Sequence, residues 1–108
     1  MARKPRITAT VAAVLAAFLS DPGTPRYGLD LIRATGQASG TLYPVLSRLT
    51  DAGWVTGEWE DAETAQAARR PPRRYYTLTP DGVVAARREL AALHRALGIT
   101  GRPATGHA

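Results

Sequence analysis

The side chains best equipped for chemistry in this sequence are arginines and hydroxyls, and they gather in two places. Arg69, Arg70, Arg73 and Arg74 crowd one short basic stretch. A guanidinium is a rigid fork of N–H donors that pairs with a phosphate or a guanine edge through two parallel bonds. Upstream, Ser39, Thr41, Tyr43, Ser47 and Arg48 alternate with the apolar residues Leu42, Val45, Leu46 and Leu49. Such hydroxyls donate to phosphate oxygens or base edges, and Arg48 could grip either. This is chemistry of anion recognition. No grouping of nucleophile, base and acid accompanies it, Ser39 lacks the strand–turn–helix setting of a nucleophile elbow, and no Gly-rich phosphate loop is present.

Bulk composition points the same way. The chain has 108 residues and a formal net charge of +5. That size fits one domain whose modest core would gain from a partner subunit, and the charge favours a polyanionic partner. Of 14 basic residues only Lys4 is a lysine. Arg3, Lys4 and Arg6 form a second basic cluster. There is no cysteine, which excludes disulfides and thiolate metal sites. His94 and His107 are isolated and make no metal set, and no cofactor is expected. The apolar stretch Ala12 to Leu19 follows basic residues as in a signal peptide. It is interleaved at helical spacing and followed by no small-residue cleavage site, so it reads as a core helix. No segment is long enough to span a membrane, and a cytoplasmic location is expected.

The elements that must position these groups follow from periodicity and punctuation. Residues 1–7 read as a basic, flexible arm. Ile7, Val11, Val14, Leu15, Phe18 and Leu19 recur at helical spacing, giving a helix from about Thr8 to Ser20 that Asp21-Pro22-Gly23 ends. Thr24 and Pro25 read as cap and first residue of a second helix, which Gly36 stops. Gly28 would lie inside it and leave room for a neighbouring helix. The third helix begins near Ser39 as N-cap and buries Leu42, Val45, Leu46 and Leu49. Its opposite side holds Gly40, Pro44, Ser47 and Asp51, flanked by Thr41, Tyr43 and Arg48. Pro44 is tolerated near the first turn. Asp51 is expected in solvent or paired with Arg48.

Trp54 to Glu60 reads as a strand, Asp61 to Pro72 as a long polar loop whose acids Asp61 and Glu63 would repel phosphate, and Arg73 to Thr79 as the returning strand. Neighbours in a strand face opposite ways, so one of Tyr75 and Tyr76 belongs to the core, and one of Arg73 and Arg74 could serve structure. Trp54 and Trp59 read as hairpin packing rather than ligand platforms. Thr79-Pro80-Asp81 opens a last helix. Its residues Val83, Ala86, Leu90, Leu93 and Leu97 recur at alternating spacings of three and four, the seam of a helix packed along another. Residues 99–108 read as a disordered tail. The order helix-helix-helix-strand-strand-helix, with arginines on the hairpin, is that of a winged helix-turn-helix. This is an α+β fold, mainly α, of three helices and a two-stranded wing, with a C-terminal helix added.

Tyr27-Gly28-Leu29-Asp30-Leu31-Ile32, Ser39-Gly40-Thr41-Leu42-Tyr43-Pro44-Val45-Leu46-Ser47-Arg48-Leu49, Gly53-Trp54-Val55 and Arg73-Arg74-Tyr75-Tyr76-Thr77-Leu78-Thr79-Pro80-Asp81-Gly82 resemble the PadR family of bacterial transcriptional regulators, over roughly residues 8 to 97. The resemblance implies a homodimeric repressor on a palindromic double-stranded DNA operator, released by a small, often aromatic, effector. It implies a winged-helix domain over 8–79 and a dimerisation helix over 80–98, as in the family's short form. Expected DNA contacts are Ser39, Thr41, Tyr43, Ser47, Arg48, Arg69, Arg70, Arg73, Arg74 and Lys4. The expected dimer surface is Val11 and Leu15 of the first helix with Val83, Ala86, Leu90, Leu93 and Leu97 of the last. Two departures stand out: the wing lacks the family's glycine before its basic pair, and the last helix carries no aromatic residue. A protein-interaction module and a non-specific architectural nucleic-acid binder are the alternative readings. An enzyme is the remotest.

Overall fold

The computed structural model describes residues 4–98. The expected tail, His107 and Arg3 lie outside the described residues. The elements are α1 (Ala9–Leu19), β1 (Arg26–Tyr27), α2 (Gly28–Thr35), α3 (Ser39–Asp51), β2 (Val55–Trp59), α4 (Ala62–Ala67), β3 (Arg74–Leu78) and α5 (Pro80–Ala96). The fold is mainly helical with one small antiparallel sheet in the order β1-β3-β2, a winged helix in which α2 and α3 form the helix-turn-helix.

Local rules account for most of the helix boundaries. Thr8 caps α1, its hydroxyl accepting from the Val11 N–H at 3.2 Å, and Thr79 caps α5 by accepting from the Gly82 N–H at 2.9 Å. Gly36 ends α2 with φ +72°, donating its N–H to the Ile32 carbonyl. The apolar faces then meet in one core. Val11, Val14, Leu15 and Phe18 of α1, Leu31 of α2, and Leu42, Leu46 and Leu49 of α3 are enclosed with Val55, Tyr76 and Leu78 of the sheet. Truncating one of these leucines to alanine costs roughly 2–5 kcal/mol. α5 lies against α1 and β3, and it approaches the β2 entry closely. A Cβ on Gly82 would stand 2.8 Å from the carbonyl carbon of Trp54.

Several expectations change. Thr24 and Pro25 do not start a helix. Arg26 and Tyr27 instead pair with Tyr76 and Tyr75 as a third strand, and α2 starts at Gly28, with the Asp30 carboxylate accepting the Tyr27 N–H at 3.1 Å. Tertiary pairing overrides the local start signal there. Ala38, not Ser39, is the N-cap of α3, and Ser39 is its first residue. Pro44 is the sixth residue of that helix and not in its first turn. It is exposed, as is Gly40, whose carbonyl it leaves without an intrahelical donor but open to water. The 61–72 loop contains α4, capped by Asp61, whose carboxylate accepts the Thr64 N–H at 3.0 Å, and anchored by buried Ala65. In the N-terminal arm Pro5 is buried, Ile7 leans on the core, Lys4 meets Glu89 of α5 at 2.9 Å, and Arg6 is exposed.

Candidate nucleic-acid interface

α3 turns Leu42, Val45, Leu46 and Leu49 inward, and 3.6-residue periodicity then leaves its polar residues outside. Ser39, Thr41, Tyr43, Ser47 and Arg48 are all exposed. Four of them divide between two flanks. Thr41 and Arg48 border a groove shared with Thr8 and Thr10 at the start of α1. Tyr43 and Ser47 border a groove shared with Asp51 and, from the wing, Arg74. Tyr43 also crosses to α2. A Cβ on Gly28 would fall 2.8 Å from its Cζ, so the bare position 28 admits the phenol.

The wing is a twin-strand arm with a folded tip. β2 and β3 pair from Val55↔Leu78 to Trp59↔Arg74, and the Glu60 N–H extends the ladder to the Arg73 carbonyl at 2.7 Å. Side chains alternate as a strand requires: Val55 is buried and Thr56 exposed, Tyr76 is buried and Tyr75 half-buried. Tyr75 meets Tyr27 edge-on, with ring centroids 5.9 Å apart. Trp54 is core, whereas Trp59 is 63% exposed.

The four wing arginines have different fates. Arg70 grips Glu60 through both nitrogens, with Nη2 to Oε2 at 2.7 Å. The Arg73 N–H reaches the same carboxylate at 3.3 Å. The Arg70 hydrogen bond holds the Glu60 carboxyl down at about 2 from the ordinary 4.5, against the opposing effect of burial. Arg69 is exposed and takes a left-handed backbone, φ +57°. Arg73 lies over the Tyr27 ring, 5.3 Å from its centroid. Arg74 lies over Trp59 at 5.3 Å and near Tyr76 at 5.8 Å. Arg73 and Arg74 line one cleft of about 590 Å³ between the start of α2 and the wing, together with Arg33 and Tyr43. A polyanion laid across α3 and the wing would meet hydroxyls and free guanidiniums on one continuous surface.

Known proteins match this arrangement. The sequence model described as the transcriptional regulator PadR-like family matches residues 15–88, more than half of the chain. The chain belongs to the PadR-like family. A PadR-like transcription factor from Bacteroides fragilis is 28% identical with a TM-score of 0.63, the match covering 82% of each chain. A PadR family regulator from Eggerthella lenta is 26% identical with a TM-score of 0.63, over 79% of this chain and 74% of that one. BpsR of Bordetella bronchiseptica, whose DNA binding is regulated by 6-hydroxynicotinic acid, shares the fold at 20% identity and a TM-score of 0.63, over 93% of this chain and 66% of its own. No curated protein matches. Membership makes this a DNA-binding transcription regulator and not an enzyme. No helix among the described residues is long and apolar enough to cross a membrane.

Within this PadR-like chain the expected residues separate. Ser39, Thr41, Tyr43, Ser47 and Arg48 share the exposed side of α3, and Arg73 and Arg74 share the cleft beside it. Arg70 is committed to Glu60, and Lys4 to Glu89, whose carboxyl it holds below the usual range. Of the residues expected at a dimer surface, Val11, Leu15 and Ala86 are enclosed in the subunit's own core. α1 and α5 pack on each other within one chain, which accounts for those three positions. Val83, Leu90 and Leu93 are half-buried and Leu97 is 62% exposed. Tyr27, Arg33, Trp59 and Glu60 were not singled out as site residues by sequence. Only Trp59 carried a signal, being a large aromatic at the end of an arginine-bearing hairpin.

Proposed function

We propose that this chain is a homodimeric repressor that binds a palindromic operator and leaves it when a small aromatic effector binds. Each subunit sets α3 into a major groove, with half-sites about 34 Å apart. The observation that carries this reading is that Tyr43 of α3 and Arg74 of the wing border the same cleft, so helix and wing can engage one stretch of duplex. Ser47, Arg48 and Thr41 supply base and phosphate contacts, and Arg73 and Arg74 grip the backbone beyond the groove. The dimer forms along the apolar seam of α5, through those parts of Val83, Leu90, Leu93 and Leu97 that the subunit's own core leaves uncovered. Leu97, 62% exposed at the end of that seam, supports the choice. The effector response rests on the family and on the regulation of BpsR by 6-hydroxynicotinic acid.

The test is a mobility-shift titration of the protein against its own upstream DNA, with unrelated duplex as competitor at near-physiological salt. Binding that survives the competitor establishes operator recognition. Binding lost equally to competitor leaves a non-specific architectural binder. No binding to any duplex leaves the protein-interaction module. Sedimentation of wild type and a Leu93→Glu/Leu97→Glu variant tests the dimer, the variant being expected as a monomer. The same shift assay across a panel of aromatic acids tests release.

A further inference from the structure

We infer that Trp59 and Tyr27 are positioning residues for the DNA backbone contact: each holds one wing guanidinium on its ring face, so that Arg73 and Arg74 meet the phosphodiester backbone already oriented. The inference rests on the DNA-binding reading above.

Three positions shape the place where Arg74 lies. Trp59 is its cross-strand partner and carries the guanidinium 5.3 Å from the ring centroid. Tyr76 closes the other side at 5.8 Å. Gly57, one pleat back on the same face as Trp59, leaves the space empty, since a Cβ there would stand 2.7 Å from the Arg74 Nη2. Trp59 itself is 63% exposed, so the core does not require it. Its packing surface is the arginine. Arg73 is treated alike by Tyr27, at 5.3 Å. Neighbours in a strand would face opposite ways, yet both guanidiniums line one cleft. β3 begins at Arg74, and Arg73 lies just outside it.

The chemistry of this hold differs from an ion pair. A ring face attracts the cation through its quadrupole and leaves the N–H edge and full charge for an anion. A carboxylate occupies the edge itself, as Glu60 does for Arg70. Among the described residues, Arg73 and Arg74 take part in none of the ion pairs. The rotamer freedom that DNA binding must otherwise remove from a long side chain is already reduced by the ring. The ligand that fits is a run of phosphodiesters along a duplex.

A double-mutant cycle over a salt series tests this, using a short duplex of the upstream DNA and one of random sequence. Arg74→Ala weakens binding to both and makes the salt slope shallower by about one. Trp59→Leu weakens binding by about 2–5-fold and leaves the slope unchanged, because the charge remains. Trp59→Phe, which keeps a ring, recovers most of the loss. In the Arg74→Ala background, Trp59→Leu has no further effect. DNA also shifts the emission of exposed Trp59, with buried Trp54 as a constant background. Additive losses overturn the inference, as does a Trp59→Leu variant whose slope falls and which phenylalanine fails to rescue, since that is a collapsed wing. A wild-type protein that binds neither duplex removes the DNA-binding reading and the inference with it. Binding with additive losses removes the inference alone.

Discussion

Two arginine pairs flank Pro71 and Pro72 in the wing, and they are used differently. Arg73 and Arg74 keep their N–H edges open, resting on Tyr27 and Trp59. Of the other pair, Arg70 closes its fork on Glu60, and Arg69 takes a strained backbone at the end of α4. One pair presents charge and the other shapes the arm that presents it. Equal residue types a few positions apart therefore predict unequal effects on affinity, salt dependence and stability.

The largest effect falls on the open pair. Replacing Arg73 and Arg74 together by alanine removes two charge-assisted bonds, each about 1.5 kcal/mol or roughly tenfold. Affinity for any duplex should drop about a hundredfold, and the slope of log K against log salt should become shallower by nearly two. A titration at several salt concentrations reads both numbers. A loss confined to the operator sequence would instead place these arginines on base edges.

The closed pair should break in the opposite manner. Arg70→Ala leaves the Glu60 carboxylate, shielded by the wing, without its bidentate partner. The wing should loosen, the backbone amides at positions 60 and 70 should exchange faster with solvent, and DNA affinity should fall several-fold with little change of slope. A slope as shallow as that of the Arg74→Ala variant would show that Arg70 also touches phosphate.

What the sequence made legible divides along a similar line. α1, α3 and α5 follow from apolar periodicity and caps that involve near neighbours only, such as Thr8 with Val11 and Thr79 with Gly82. The exposed face of α3 follows as the complement of its buried one. β1 was illegible because its two residues pair with Tyr75 and Tyr76, far along the chain, while Thr24-Pro25 imitates a helix start. α4 was hidden by its length of six residues and its single buried alanine. The seam of α5 reads in the sequence as a packing face. Periodicity carries no label for the partner, and Ala86 turns out to face its own subunit's core. Nor does residue type separate Arg70 from Arg74. Glu60 stands ten residues before Arg70, and only the folded tip of the wing brings the two together.

Acid should dissect the closed pair without mutation. The carboxyl of Glu60 sits lower in the folded wing, at about 2, than its ordinary 4.5. Its contribution to stability is therefore complete above pH 4.5 and declines as the pH falls towards 2. Melting temperatures across that window should fall less steeply for Glu60→Gln than for the wild type. Equal falls would mean that other carboxylates, Glu89 among them, govern acid unfolding.

The smallest effect is expected at Arg69, and it decides where the boundary between the pairs lies. A non-glycine residue in the left-handed region carries a penalty of about 1 kcal/mol, and asparagine tolerates that region better than arginine. Arg69→Asn should raise the melting temperature by a few degrees at most and change DNA affinity less than twofold. Because Arg69 is exposed and lies outside the α2–wing cleft, removing its charge should act only through the general field of the wing, which salt screens. A slope shallower by about one for Arg69→Asn would instead count Arg69 with the open pair. The strained backbone would then be a means of aiming a third guanidinium at the duplex, and the shaping of the wing would rest on Arg70 and Glu60 alone.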